Sequence, residues 1–154
     1  MIATRTFPDV TPITVQASGV IGVSRASPVE SAALSMWDRA AVDWSILIAN
    51  LGTALITEFQ VQILFSLLPA PGTNAAAPED WQPLPADDVI AAGVVAVDEY
   101  TLSFTVASFA NVVAGLPASL GFTAPARGLN MKTLIWDVAG TPAGSDFTLT
   151  ALRR

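Results

Sequence analysis

Thr57-Glu-Phe-Gln-Val-Gln-Ile-Leu-Phe-Ser-Leu67 is the stretch that decides the fold class. Phe59, Val61, Ile63, Phe65 and Leu67 alternate with Glu58, Gln60, Gln62, Leu64 and Ser66. A period of two belongs to a strand, whose successive side chains point to opposite faces; a helical stripe cannot produce it. Residues 42–49 repeat the pattern, with Trp44, Ile46 and Ile48 on one side and Asp43, Ser45 and Leu47 on the other. Between the two, Asn50-Leu-Gly-Thr53 supplies residues that accept positive φ, as a tight reversal requires. The expectation is a long antiparallel hairpin.

Working outward, residues 89–97 form a continuous apolar run. In residues 100–107, Leu102, Phe104 and Val106 alternate with Thr101, Ser103 and Thr105. Residues 107–126 carry no charge and are broken by Gly115, Pro117, Gly121 and Pro125, so they read as loop or short strand. Residues 130–138 and 146–152 close the chain as strands, with Phe147, Leu149 and Ala151 facing inward and residues 140–144 turning between them. Residues 11–17 and 19–24 look like short strands. Ser27-Pro-Val-Glu30 has a helix start: a Ser N-cap, Pro at the first position and Glu three residues on. The following residues either continue that helix or form a strand with Leu34, Met36 and Asp38 on one side. About eight strands separated by turn signals point to an all-β fold, an antiparallel β-sandwich or jelly roll, with one short N-terminal helix as an option. The expected organisation is a single domain over residues 1–154, with 1–26 as an N-terminal arm. Residues 69–88 hold five prolines, which lack a ladder donor, and form a long loop anchored by Trp81.

Composition narrows the function. The chain of 154 residues has no His, no Cys, one Lys (Lys132) and one Tyr (Tyr100), while 52% of it is hydrophobic and only 13% charged. Imidazole and thiolate chemistry are absent, and no Gly-x-Ser-x-Gly elbow occurs, so no enzymatic activity is expected. Little charge on a soluble surface implies uncharged area that a partner covers. Residues 40–126 carry eight acidic residues and no Lys or Arg, whereas residues 127–154 are net +2. Such a two-ended distribution suits packing between copies, although solvated loops explain it as simply. A basic footprint for nucleic acid is missing. The longest apolar run, nine residues at 89–97, is too short for a membrane helix, which needs about 20. No signal peptide is recognised, so synthesis in the cytoplasm is expected.

The acidic pairs Glu79–Asp80, Asp87–Asp88 and Asp98–Glu99 are the sole candidates for metal or acid–base work. They lack the spaced Asp-x-Asp-x-Asp-Gly pattern of a calcium loop, and they read as solvated turns; no cofactor is implied. Of the four tryptophans, Trp44 and Trp136 lie in phase with apolar strand neighbours and read as core. Trp81, in a polar loop, is the candidate for stacking on a sugar.

Arg127-Gly-Leu-Asn-Met-Lys-Thr-Leu-Ile-Trp-Asp-Val-Ala-Gly-Thr-Pro-Ala-Gly-Ser-Asp-Phe-Thr-Leu-Thr-Ala151 resembles the closing hairpin of small tailed-phage virion proteins. There, a strand ending in Trp-x-Val-x-Gly-Thr is followed by a short turn and a Phe-Thr strand. The Asp98–Phe104 segment and the Trp44 hairpin fall where such proteins place their middle strands. The resemblance covers residues 42–154 and implies a capsid decoration (cement) protein with a β-sandwich body. It would oligomerise, most simply as a trimer by analogy with capsid three-fold sites, bind the major capsid protein and reside on the virion surface. The resemblance transfers no functional residues. The charge-free 107–126 segment and the Pro-rich loop are the expected contact surfaces, which singles out Trp81, Pro83, Pro85, Phe109, Leu116, Leu120 and Phe122. The alternative is a carbohydrate- or receptor-binding module using the same loops.

Overall fold

The computed structural model describes residues 13–19, 21–22, 24–50, 58–91, 94–105, 117–138 and 145–154; among these, the side chains of 16–19, 48–50, 117–120 and 145–146 are left undescribed. Twelve strands run in chain order: β1 (Ile13–Gly19), β2 (Val29–Glu30), β3 (Leu34–Ser35), β4 (Ala41–Asn50), β5 (Glu58–Ser66), β6 (Gln82–Pro83), β7 (Ile90–Ala91), β8 (Val94–Ala96), β9 (Leu102–Thr105), β10 (Pro117–Pro125), β11 (Asn130–Asp137) and β12 (Ser145–Arg153). Two antiparallel sheets hold them. The five-stranded sheet has the order β1-β12-β4-β10-β7, and the seven-stranded sheet the order β2-β11-β5-β9-β8, with β3 also on β11 and β6 on β5.

The pairing is nested. β1 pairs with β12, β2 and β3 with β11, β4 with β10, and β5 with β9. The chain is thus one long antiparallel ribbon, outermost strands together, wound so that alternate pairs fall in opposite sheets. That is the jelly-roll form of the β-sandwich.

Nesting corrects two expectations. β4 and β5 do not form a hairpin: β4 is hydrogen-bonded to β12 and β10, and β5 to β11 and β9. Likewise β11 and β12 lie in different sheets, so the closing pair is not a hairpin either. The physical reason is common to both. Each strand has one apolar face, and two such strands can bury their faces against each other across a sandwich as well as side by side in one sheet. The apolar run at 89–97 also divides, β7 pairing with β10 and β8 with β9.

A ladder of four rings joins the sheets. Phe59 and Phe104 sit opposite each other on β5 and β9 with ring centroids 5.1 Å apart and 2° between planes. Phe104 meets Phe122 of the other sheet at 5.5 Å and 51°, and Phe122 stacks on Trp44 at 6.2 Å. Phe59, Val61 and Ile63 are buried as their alternation requires, and so are Phe147, Leu149 and Ala151. Residues 117–125, read as loop or short strand, are a strand paired with β4 along their whole length. Phe122 and Ala124 turn into the core there, and the prolines occupy the strand's two ends.

The helix start at Ser27 yields no helix. The Ser27 N–H donates to the Ser24 carbonyl at 3.0 Å, and β2 and β3 then add to the edge of β11. An available sheet edge satisfies those backbone groups as a helix would. Leu34, in β3, and Met36, just past its end, are both buried on the side the strand alternative gives them. Asp38 has φ 57° in the turn that follows and is exposed, so it does not share their side.

Candidate interaction surface

Three of the β11 side chains that point away from the core are nevertheless buried. Leu134 and Trp136 join Leu64 of β5 and Trp81 of the Pro-rich loop in a second, small apolar cluster. The loop is a strap over the outer face of the seven-stranded sheet. It contains two short 3-10 turns and β6, whose Pro83 lies opposite Leu64. Trp81 locks it: the indole Nε1–H donates to the Gly72 carbonyl at 2.7 Å, and the Gly72 N–H donates to Asp80 at 2.8 Å. Beneath, the Lys132 ammonium lies 3.8 Å from the Trp81 ring centroid and donates to Glu30 Oε1. Glu30 also accepts the Asn74 N–H at 2.6 Å. Burial alone would raise the Glu30 pKa; the hydrogen bonds from Lys132 and Asn74, with the lysine's charge, outweigh it and hold the carboxyl below its ordinary range.

Beside the strap, Arg25 bridges the outer face. Its guanidinium carbon stands 5.9 Å from the Trp136 ring centroid, and it pairs with Asp98 at 2.9 Å. The Tyr100 N–H, then the Thr101 hydroxyl and Arg25, draw the Asp98 pKa down to about 2.

Trp81 and Phe122 are therefore turned inward, 6% and 3% exposed, and neither ring is offered to a partner. The outer face of the sheet claims the first and the core the second. Pro83 is exposed and Pro85 half-buried, and both line a concavity of about 270 Å³ with Phe65, Leu84, Asp88, Tyr100 and Arg127. Leu120 lies on β10 with its side chain undescribed; Phe109 and Leu116 lie outside the described residues. Of the acidic pairs, Asp88 bonds Arg127 at 3.2 Å and Asp98 bonds Arg25. Among the described residues no three acidic side chains converge as a metal site.

The residues that sequence reading passed over are on the same rim. Trp37 is 74% exposed, Leu67 65% and Leu68 44%. A second concavity, of about 220 Å³, is lined by Ser35, Trp37, Pro69, Leu129 and Asn130. Arg127 of the first concavity and Leu129 of the second flank Gly128 along the chain. Gly128 has φ 63°, and a Cβ there would fall 2.3 Å from the Ser66 carbonyl oxygen, which accepts the Leu129 N–H at 2.8 Å. The rim thus presents an indole, a phenol ring, an arginine, prolines and leucines about the turn that joins β10 of one sheet to β11 of the other. Of these, Trp, Tyr and Arg are the types enriched at the energetic centres of protein interfaces.

No protein-family model matches the sequence, and no curated protein matches it.

Proposed function

We propose that the chain is a non-enzymatic structural protein of a phage virion, a decoration protein whose 127–130 rim docks on the capsid shell. The observation that carries this reading is Trp37, a large ring 74% exposed that lines a concavity with Pro69 and Leu129, the chain reaching Pro69 through the exposed Leu67 and Leu68. Isolated exposed hydrophobes are ordinary, but a tryptophan at the edge of a concavity has the make-up of a docking anchor. Two further features support it by analogy: jelly rolls recur in viral capsid domains, and the cadence of residues 127–151 resembles phage virion proteins. The lack of His and Cys fits a protein that attaches instead of reacting.

The test is co-sedimentation with purified capsid shells that lack this protein. Wild type should pellet with shells, and Trp37→Ala should lose at least about tenfold in affinity, as removal of an interface hot spot does. A second reading has the same ring stacked on a sugar beside Asn130 and Ser35. Glycan binding that disappears in Trp37→Ala, together with no shell binding, would transfer the function there.

A further inference from the structure

The two outer faces of the sandwich are unlike. That of the seven-stranded sheet is covered over Leu64, Leu134 and Trp136 by the chain's own strap; that of the five-stranded sheet has no such cover among the described residues. Burial of Val42, Trp44 and Ile46 on β4, and of Phe147, Leu149 and Ala151 on β12, directs the intervening residues outward. Ser45, Leu47, Thr148 and Thr150 thereby form the centre of a flat face, flanked by Thr123 and Ile90. Leu47 is 45% exposed and Ile90 77%. The charge described on this face is Asp43, and the chain neutralises it itself: Arg154 donates to both carboxylate oxygens, at 2.7 and 3.0 Å.

We infer that this face packs against the same face of a second copy of the chain across a two-fold axis. Three observations choose that occupant. First, a chain of net charge −6 repels itself wherever its unpaired carboxylates meet. Among the described side chains of this face the carboxylate is Asp43, already paired with Arg154. Asp146, whose side chain is undescribed, stands toward one end of β12 opposite Ala49, so the centre of the face can meet its like without that penalty. Second, the area suffices. β4 has ten residues, so the four strands from β1 to β10 span roughly 19 by 33 Å. Two such faces together exceed the ~1,000 Å² that a specific interface needs. Third, no aromatic ring is among its described outward side chains, which disfavours a sugar, and the Arg described there is already spent on Asp43, which disfavours phosphate or an anionic membrane. A single self-complementary face closes with two copies, so it replaces the three-fold expectation drawn from capsid lattices.

The inference deepens the self-association part of the function proposed above and stands apart from shell docking. Sedimentation velocity and light scattering on the full chain, from low micromolar to roughly 100 µM, populate the pair even at the weak, micromolar end of the affinity range of standard interfaces. Wild type should run as a pair of 16.0 kDa chains. Thr150→Lys, which sets two lysines against each other near the axis, should weaken association at least about a hundredfold, because juxtaposed like charges strongly oppose an interface. Leu47→Lys should do the same and serves as the second variant if the first folds poorly by circular dichroism. Val95→Lys, exposed on the other sheet, should leave the pair intact. A wild-type monomer throughout, a trimer, or a pair indifferent to both face variants overturns the inference, whether or not shells are bound. A face-dependent pair that ignores shells overturns the docking reading alone.

Discussion

Replacing Lys132 by Met tests whether the strap is held by its ion pair. The Lys132 side chain is 3% exposed and its Glu30 partner 20%. Removing the ammonium deletes one charge-assisted hydrogen bond, worth about 1.5–3 kcal/mol, and a desolvated cation–π contact with Trp81, worth about 2 kcal/mol. Against this, the lysine no longer has to be desolvated, and methionine's flexible stem keeps packing on the indole. Glu30 is not stranded either, because it retains the Asn74 N–H and some solvent. The net cost is therefore about 2–3 kcal/mol, below the 3–5 typical of a fully buried orphaned charge. For a domain of this size that is a drop in Tm of about 5–10 °C. Urea unfolding followed by tryptophan fluorescence and by far-ultraviolet circular dichroism measures it. Lys132→Met with Glu30→Gln should cost less than Lys132→Met alone, since no carboxylate is then left to desolvate. A single variant within about 0.5 kcal/mol of wild type, as at an ordinary surface site, would refute the reasoning. So would a double variant whose cost equals the sum of the two singles.

Phe104→Ala should cost about 4–5 kcal/mol, the upper end of the range for buried phenylalanine, because Phe104 contacts rings in both sheets; a loss below about 1 kcal/mol in urea melts would contradict the ladder. Gly128→Ala should destabilise by about 2–4 kcal/mol through positive-φ strain and collision with the Ser66 carbonyl, and a thermal melt matching wild type would count against the turn. Asp98 and Glu30 have folded pKa values below their ordinary 3.8 and 4.5. Their contribution is complete above the unfolded values and is lost as pH falls through the lowered folded ones, for Asp98 at about 2. Urea midpoints should fall across that window, less steeply in Glu30→Gln, and a flat profile would show the carboxyls to be idle.

Alternation in the sequence was enough to orient side chains. Phe59, Val61 and Ile63 on β5 and Phe147, Leu149 and Ala151 on β12 point inward as their spacing requires. It could not say which strand lies beside which, because period two fixes a face and not an edge partner. The nested pairing is set by contacts as remote as Ile13 with Ala151, which no local signal encodes. The two loop-side tryptophans show the same limit. Trp81 stands in polar surroundings along the chain yet is buried, while Trp37 is exposed beside buried Met36. A clue was present in Ile63-Leu-Phe65 and Leu134-Ile-Trp136. Strands apolar on both faces need cover on both sides, and the Pro-rich loop with its single tryptophan was available to provide it. The exposed rim had no comparable signal, since exposure there depends on which strands end together.

The docking claim is tested most directly by electron cryo-microscopy of shells that lack this protein, imaged after incubation with it. Ordered density is expected over the shell, with the 127–130 turn against the capsid surface and Trp37 buried in the contact. Bare shells at saturating protein, or attachment that leaves Trp37 in solvent, would contradict it.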